Sequence, residues 1–166
     1  NNTATLAWTA NIAAIELHPF LHRKPEIMTP TMVVFDLDPG EGADIFSCIE
    51  VAHWLRELFE RLQLECFPKV SGSKGLQLYV PLNTPTHYSV TQPFARTVAE
   101  MMERQHPDKT TAIMAKEKRV GKVFIDWSQN ADHKTTVGVY SLRAKQQRPF
   151  VSMPVTSTLR RKSIPF

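Results

Sequence analysis

Apolar and polar positions along the chain change repeatedly between a helical and a strand-like spacing. Apolar residues at 6, 8, 12, 13, 15 and 17 predict a helix over Leu6–Leu17, which His18-Pro19 would end because proline cannot extend a helix. The stretch 23–30 contains two prolines and predicts a loop. The apolar run that follows predicts a buried strand over Met32–Leu37.

Longer amphipathic segments follow this strand. Asp44 is expected to be the N-cap of a long helix. Its inner face is expected to consist of Ile45, Ile49, Ala52, Leu55, Phe59 and Leu62, with Cys48 on the same face. Strands are predicted over 66–70, 76–80, 122–127 and 137–142, and a second long helix over 91–105. This order predicts an α+β fold, with helices packed on a largely antiparallel sheet.

Composition narrows the class of protein. With 166 residues, of which 42% are hydrophobic and 22% charged, the chain can bury one sizeable core, so we expect a single domain over 1–166. Its apolar runs are far shorter than the ~18 residues of a membrane span, so no membrane partner is expected. Cys48 and Cys66 form no CxxC pair, which argues against disulfides and zinc and favours a reducing, cytoplasmic setting. Because residue 1 is Asn and no signal peptide follows, we expect a piece of a longer protein.

Charge is distributed unevenly along the chain. Residues 1–132 contain 13 Lys/Arg and 16 Asp/Glu, whereas residues 133–166 contain 7 Lys/Arg and no acid. The basic C-terminal region favours a polyanionic partner such as nucleic acid, because neutralising phosphates releases counterions. A solvated basic tail over 157–166 is the alternative.

Two acidic residues lie at the end of the first predicted strand. Asp36 and Asp38 are two positions apart, so a strand would direct both side chains to the same face. Neighbouring carboxylates repel each other unless protons or cations intervene, and Mg²⁺ and Mn²⁺ bind carboxylate oxygens well. The simpler interpretation is a strand end with two solvated acids before the Pro39-Gly40 turn.

A third acidic residue, Asp126, lies within the apolar segment Val123–Trp127, where an unpaired charge would be unfavourable. A metal ion shared with the first two acids would compensate for it, since carboxylates on adjacent strands typically form the protein part of a two-metal phosphoryl-transfer site. An ion pair with Lys122 or Arg119 explains Asp126 equally well.

A Ser-Gly loop separates two of the predicted strands. Ser71 and Ser73 provide hydroxyl groups, Lys74 provides charge, and Gly72 and Gly75 free the backbone N–H groups to face a phosphate. The loop lacks the Walker A spacing and is followed by a predicted strand rather than a helix. An ordinary hairpin turn would use the same residue types.

Cationic residues precede the segment that contains Asp126. They are Lys116, Lys118, Arg119 and Lys122, and Arg143 follows later in the chain. Such a run is usually a solvated face. Its position beside the candidate metal carboxylates favours contacts with a triphosphate or a nucleic-acid backbone.

Together these segments resemble a known family. The motifs are FDLDPGEG (35–42), SGSKGLQLYVPL (71–82), KRVGKVFIDWSQN (118–130) and YSLRA (140–144). In this order they resemble the polymerase domain of bacterial ligase D, from the archaeo-eukaryotic primase superfamily. The resemblance implies a primase-like core with a mixed, mainly antiparallel sheet, including an RRM-like element. It also implies a nucleotidyltransferase that extends DNA primer 3′-ends in non-homologous end joining, often with ribonucleotides and Mn²⁺.

The resemblance further implies roles for individual residues. Asp36, Asp38 and Asp126 match the family's metal carboxylates, which hold two Mn²⁺ or Mg²⁺ ions. Nucleotide contacts are expected from His18, Ser71, Ser73, Lys74, Arg119, Gln129 and Arg143, and weaker DNA contacts from Lys116, Lys118 and Lys122. For His18, a structural hydrogen bond at a helix end is the alternative. The implied partners are nucleoside triphosphates, gapped or 5′-phosphorylated DNA ends, a Ku protein and a ligase domain, in the cytoplasm at the nucleoid.

Some positions depart from the family pattern. Gln77 stands where His is common, Gly138-Val139 stands where Ala-Pro is usual, and the family's N-terminal segment is expected to be missing. A nucleotide- and DNA-binding core without turnover is therefore one alternative.

A phosphatase is the second alternative. The segment Val33–Asp38 also resembles the first motif of haloacid-dehalogenase phosphatases, with Asp36 as nucleophile and Asp38 as acid/base. The Gly-Thr or Gly-Val pair that should follow the second Asp is replaced by Pro39-Gly40, and no paired acidic motif follows near the C-terminus.

Overall fold

The computed structural model describes residues 2–143, so the basic tail over 157–166 lies outside the described residues. The regular elements in chain order are α1 (Thr3–Asn11), β1 (Met32–Pro39), α2 (Ile45–Arg61), β2 (Phe67–Val70), β3 (Leu76–Pro81), α3 (Tyr88–Gln105), β4 (Thr110–Thr111), a 3₁₀ turn (Lys116–Lys118) and β5 (Val123–Asp126). The strands form one sheet in the order β2-β3-β1-β5-β4.

The sheet is antiparallel except at one edge. The central strand β1 pairs antiparallel with β3 on one side and β5 on the other, and β2 pairs antiparallel with β3. Only β4 runs parallel to its neighbour, β5. This arrangement confirms the predicted α+β class with a mixed, mainly antiparallel sheet.

The two faces of β1 have different surroundings. Val33, Phe35 and Leu37 point to the main core, where α2 and α3 cover the sheet. Val34 points the other way and packs with Leu21 and Tyr88 in a smaller cluster. Since side chains alternate along a strand, the residues at 36 and 38 share the face of Val34. The helices therefore stabilise one face and leave the other for polar side chains.

The start of α2 follows from local hydrogen bonding. The Asp44 side chain accepts a bond from the Ser47 backbone N–H at 2.9 Å, and the two residues form a capping box, as the N-cap prediction required. The predicted inner face of α2 was partly wrong, because Ile49 and Leu62 are 40% and 49% exposed. The buried residues are Cys48, Val51, Ala52, Leu55 and Phe59.

The cysteines have the predicted packing environment. Both Cys48 and Cys66 are buried and free. In the described part of the chain, no helix is long and apolar enough to cross a membrane.

The predicted helix over 6–17 was wrong in its bounds. The helix ends at Asn11, and Ala13 has a φ of +57°, which is incompatible with a continuing helix. Beyond it, the Leu17 N–H donates to Ser141 Oγ at 2.8 Å and its carbonyl accepts from the Gly138 N–H at 2.8 Å. The backbone of this segment is thus satisfied by a distant part of the chain instead of by a helix.

The predicted strand over 137–142 was also wrong. This segment forms no strand, because its backbone bonds go to the loop around Leu17 and Tyr140 adopts a φ of +61°. The strand β4 was not predicted, since two residues are too few to show a pattern. α3 begins three residues earlier than predicted, at Tyr88, because the side chain of His87 caps it by accepting from the Ser89 N–H.

Candidate active site

Three carboxylates lie on the sheet face away from the helices. Asp36 in β1 is the register partner of Asp126 in β5, and Asp38 follows two residues later on the same face. Cβ atoms of directly opposed residues in antiparallel strands are about 5 Å apart. The hydrogen-bond register of the central sheet thus brings together acids that are far apart in the sequence.

Burial and neighbouring negative charge raise the pKa values of Asp36 and Asp38. Burial raises the pKa of Asp36 to about 7, with further increases from the charges of Asp38 and Asp126. Burial also raises the pKa of Asp38, followed by the charge of Asp126, while Arg119 lowers it. A cation is the natural counterpart of such a group, because like charges at close range favour either a bound proton or a metal ion.

Hydrogen bonds satisfy only part of these carboxylates. Gln77 Nε2 donates to Asp36 Oδ2 at 3.1 Å, whereas Asp36 Oδ1 is buried without a hydrogen-bond partner. The Asp126 carboxylate accepts from the Ser128 N–H at 2.8 Å and from Gln129 Nε2 at 3.4 Å. An unpartnered buried carboxylate oxygen is energetically unfavourable unless a further group reaches it.

The chemistry of these donors fits a hard divalent cation, which prefers carboxylate oxygens. Within residues 2–143, however, no group of three or more His, Cys, Asp or Glu side chains is arranged to hold a metal ion. The alternative partner of Asp126 is also not formed: among the described salt bridges, none joins it to Lys122 or Arg119. The candidate ligands are gathered on one face without forming a complete coordination sphere.

The Ser-Gly loop lies directly against the end of β1. A Cβ on Gly75 would stand 2.3 Å from the Leu37 carbonyl oxygen and 3.1 Å from Asp38 Oδ1, so only glycine allows this approach. Ser71 Oγ donates to the Gly75 carbonyl at 2.9 Å and accepts from the Ser73 N–H at 3.4 Å. Its hydroxyl therefore closes the loop, while Lys74 is exposed at the tip.

The predicted cations near β5 occupy different environments. Arg119 lies over the Phe124 ring, with its guanidinium carbon 3.6 Å from the ring centroid, and it donates a hydrogen bond to the Met114 carbonyl. Because Phe124 is the register partner of Asp38, the guanidinium lies on the carboxylate face. Lys116 and Lys118 are exposed, and Lys122 is half-buried.

His18 and Arg143 are connected by an acidic residue that sequence reasoning missed. Glu16 Oε1 is 2.8 Å from His18 Nε2 and 3.2 Å from the Arg143 guanidinium. The alternative for His18, a structural backbone bond at a helix end, does not apply, because α1 ends at Asn11 and the recorded ring contact is to a side chain. Burial lowers the pKa of Lys69 most, and the charge of Arg143 lowers it further.

Comparison with known proteins identifies the family. The family model of the LigD primase-polymerase domain matches residues 1–159. The chain belongs to this family. The LigD match extends across the sheet, the Ser-Gly loop and the cationic segment described above.

Individual LigD proteins are similar over nearly the whole chain. The multifunctional non-homologous end joining protein LigD of Mycolicibacterium smegmatis is 46% identical over 158 residues, covering 94% of this chain and 21% of that protein. The bifunctional LigD of Bacillus subtilis is 33% identical over 145 residues, covering 86% of this chain and 23% of that protein. The chain thus spans about a fifth of the length of these relatives.

A solved structure supports the same assignment. The polymerase domain of Mycobacterium tuberculosis ligase D, determined in complex with DNA, matches with a TM-score of 0.80 and 40% identity. The match covers 89% of this chain and 55% of that chain. LigD membership does not favour the haloacid-dehalogenase alternative.

A buried polar group beside Asp36 was not predicted as part of the site. Lys69 is 2% exposed, and its ammonium donates to Tyr79 Oη at 2.6 Å and to the Val137 carbonyl. Burial lowers the pKa of Lys69 to about 8, although the charge of Asp36 opposes this. The available signal was the strand alternation, which puts Lys69, Gln77 and Tyr79 on the carboxylate face.

Proposed function

We propose that this chain is a metal-dependent nucleotidyltransferase that adds ribo- or deoxyribonucleotides to the 3′-end of a DNA primer in break repair by non-homologous end joining. The observation that carries the proposal is the grouping of Asp36, Asp38 and Asp126 on one sheet face, with Asp36 Oδ1 buried and unpartnered. Membership of the LigD family supports the same reaction class.

Asp36, Asp38 and Asp126 would hold two divalent cations, Mn²⁺ or Mg²⁺. Such ions lower the pKa of a primer hydroxyl and neutralise charge on the phosphates. The protein's own contribution is to fix the carboxylates: the Ser128 N–H and Gln129 hold Asp126, and Gln77 holds one oxygen of Asp36. These bonds reduce the reorganisation needed when charge develops in the transition state.

The nucleotide's triphosphate would lie between the Ser-Gly loop and the arginines. Lys74 is exposed on a loop that contacts the Asp38 side of β1, so its charge is available to phosphate oxygens. Arg119 and Arg143 would add positive charge, and His18 a ring nitrogen, for contacts with the nucleotide. Ser71 acts mainly by closing the loop, since its hydroxyl proton is directed to Gly75. Gln129 would contribute through Asp126.

The DNA partner is proposed to be a gapped or 5′-phosphorylated end. The exposed Lys116 and Lys118 and the half-buried Lys122 would contact its phosphates, as electrostatic contacts of this kind position a protein without reading sequence. A solved relative was determined in complex with DNA. Association with a ligase domain and a Ku protein at the nucleoid is part of the same proposal.

The test is incorporation of labelled ATP or dATP into a gapped, 5′-phosphorylated duplex with Mn²⁺. We expect extension by the unmodified chain and a loss of at least about a thousandfold in the Asp36→Ala/Asp38→Ala variant, because the variant removes two of the three proposed ligands of the catalytic metals. Asp108→Asn is the matched control, since Asp108 is an exposed acid in the loop between α3 and β4.

Each outcome decides between two functions. Extension lost only in the double variant supports the nucleotidyltransferase. If no version extends the primer while all bind the duplex with salt-dependent affinity, the chain is a binding core and the proposal is wrong. Extension retained by the double variant would equally exclude these carboxylates as the metal ligands.

A further inference from the structure

A continuous series of partly buried hydrogen bonds leads to Asp36 from two neighbouring strands. Lys69 Nζ donates to Tyr79 Oη at 2.6 Å, Tyr79 Oη donates to Gln77 Oε1 at 2.8 Å, and Gln77 Nε2 donates to Asp36 Oδ2 at 3.1 Å. Thr136 Oγ1 also donates to Gln77 Oε1, at 3.1 Å. The register of β1, β2 and β3 places these side chains in adjacent positions on one face.

The hydrogen bonds of this series have a defined order of donors and acceptors. A lysine ammonium can only donate, so the Tyr79 oxygen accepts from it and its single proton remains available for Gln77. The Gln77 carbonyl oxygen then receives protons from the Tyr79 and Thr136 hydroxyls. Its amide N–H group consequently faces Asp36. With the amide reversed, two oxygens would face each other at Asp36 Oδ2, which is repulsive.

Lys69 is itself rigidly held. It is almost fully buried, lies 4.7 Å from the centroid of the Tyr79 ring and also donates to the Val137 carbonyl. The segment that contains Val137 is bonded to Pro19 and Leu17 through the N–H groups of residues 136 and 138. The Lys69 ammonium group, where this series of hydrogen bonds begins, is therefore fixed by both the sheet and the loop around His18.

We propose that Lys69, Tyr79 and Gln77 are positioning residues that hold Asp36 by one oxygen and direct its other oxygen, Oδ1, to the cation. This inference rests on the proposed function, because it assigns Asp36 as a metal ligand. It extends the site to residues that contact neither metal nor substrate. Replacing a partner that orients a metal ligand typically lowers metal affinity or activity by about 10- to 100-fold.

The decisive variant is Tyr79→Phe, which retains the ring and removes the one hydroxyl that links Lys69 to Gln77. We expect its affinity for Mn²⁺, measured by electron paramagnetic resonance of the free ion, to fall about 10- to 100-fold. The Mn²⁺ concentration needed for half-maximal extension should rise by a similar factor, with kcat at saturating Mn²⁺ much less affected. Lys69→Met should weaken Mn²⁺ binding in the same direction.

Tyr88→Phe is the matched control. Tyr88 is buried, and its hydroxyl bonds only to the His22 ring among the described contacts, so its loss removes a tyrosine hydrogen bond away from Asp36. We expect Mn²⁺ affinity within about twofold of the unmodified protein, since this hydroxyl orients no proposed ligand. Thermal unfolding of both variants shows whether the fold is retained.

A second readout requires no metal. The side-chain amide of Gln77, assigned in NMR spectra by its disappearance in Gln77→Leu, should exchange slowly in the unmodified protein and faster in Tyr79→Phe. Unchanged Mn²⁺ affinity in Tyr79→Phe, while Asp36→Asn loses binding, would overturn the positioning role and leave the proposed function intact. Unchanged affinity in Asp36→Asn would overturn both.

Discussion

Replacing Asp36 by Asn is expected to stabilise the metal-free protein at neutral and alkaline pH while removing its activity. The carboxyl is buried, and its pKa is raised from 3.8 to about 7 by burial and by the charges of Asp38 and Asp126. Between these two pH values the folded protein binds a proton that the unfolded chain has lost. Stability therefore falls as pH rises from about 4 to about 7 and stays low above that.

The magnitude follows from the size of this pKa change. A pKa near 7 instead of 3.8 corresponds to at most about 4 kcal/mol of unfolding free energy lost on full ionisation. Asn removes that loss but leaves an amide N–H group near the position of Oδ1 without a partner, at a cost of about 1–3 kcal/mol. The variant should thus be about 1–3 kcal/mol more stable than the unmodified chain near pH 8 and less stable by up to about 1–3 kcal/mol near pH 4.

The assay is urea unfolding with a chelator present, followed by circular dichroism at both pH values. The difference between the two proteins is the quantity of interest, because groups far from Asp36 contribute equally to both. Asp108→Asn, which makes the same substitution at an exposed acid in the loop between α3 and β4, is the control for this difference. If the stability difference is the same at both pH values, or if the variant is less stable near pH 8, the raised pKa of Asp36 is not the cause. Saturating Mn²⁺ should reverse the order by stabilising only the unmodified chain.

Three further changes have defined consequences. Gly75→Ala should destabilise the fold by about 1–3 kcal/mol in urea unfolding and raise the KM for ATP, because its Cβ would stand 2.3 Å from the Leu37 carbonyl. Arg119→Gln should raise the KM for ATP about tenfold and shift metal-dependent extension to higher pH, because it removes a charge that lowers the pKa of Asp38. Cys48 should react with iodoacetamide only after unfolding, as detected by mass spectrometry, because burial raises its pKa to about 12.

Controls separate these effects from general damage. Gly138→Ala places a Cβ no closer than 3.4 Å to its neighbours, so its unfolding free energy should change far less than that of Gly75→Ala. Arg104→Gln makes the same charge change as Arg119→Gln on the exposed last turn of α3, so it should leave the KM for ATP unchanged. Rapid alkylation of Cys48 in the folded protein would contradict the cysteine prediction. Equal effects of Gly75→Ala and Gly138→Ala, or of Arg119→Gln and Arg104→Gln, would contradict the prediction for the first variant of each pair.

Local patterns were sufficient for much of the fold. Patterns within a few residues determine the strand β1 and the capped start of α2 at Asp44. The type of each of these elements and most of their bounds therefore followed from the sequence. The segment after Asn11 was different. Its apolar residues show a helical spacing, yet its backbone bonds are made to residues 138 and 141, a long-range pairing that no local pattern encodes.

The residues of the candidate site also divide into those that a local pattern reveals and those that only a long-range contact reveals. Asp36, Asp38 and Asp126 were recognisable because acids in apolar strands are unusual, and the family resemblance supplied His18 and Gln129. Glu16, Lys69 and Tyr79 were missed as site residues, since each gains its relevance from a contact across the fold. The position of Asp36 and Asp38 on the sheet face away from the helices, by contrast, followed directly from the alternation of side chains along β1.

The two edge strands of the sheet determine whether copies of the protein can associate by pairing their strands. One edge is β2, whose second residue, Pro68, has no backbone N–H to offer, and the other is β4, with only two residues. Long, regular edges invite a strand from another molecule, and proline and brevity both discourage it. As far as residues 2–143 are concerned, neither edge is a good template for intermolecular strand addition, which favours resistance to aggregation at high concentration.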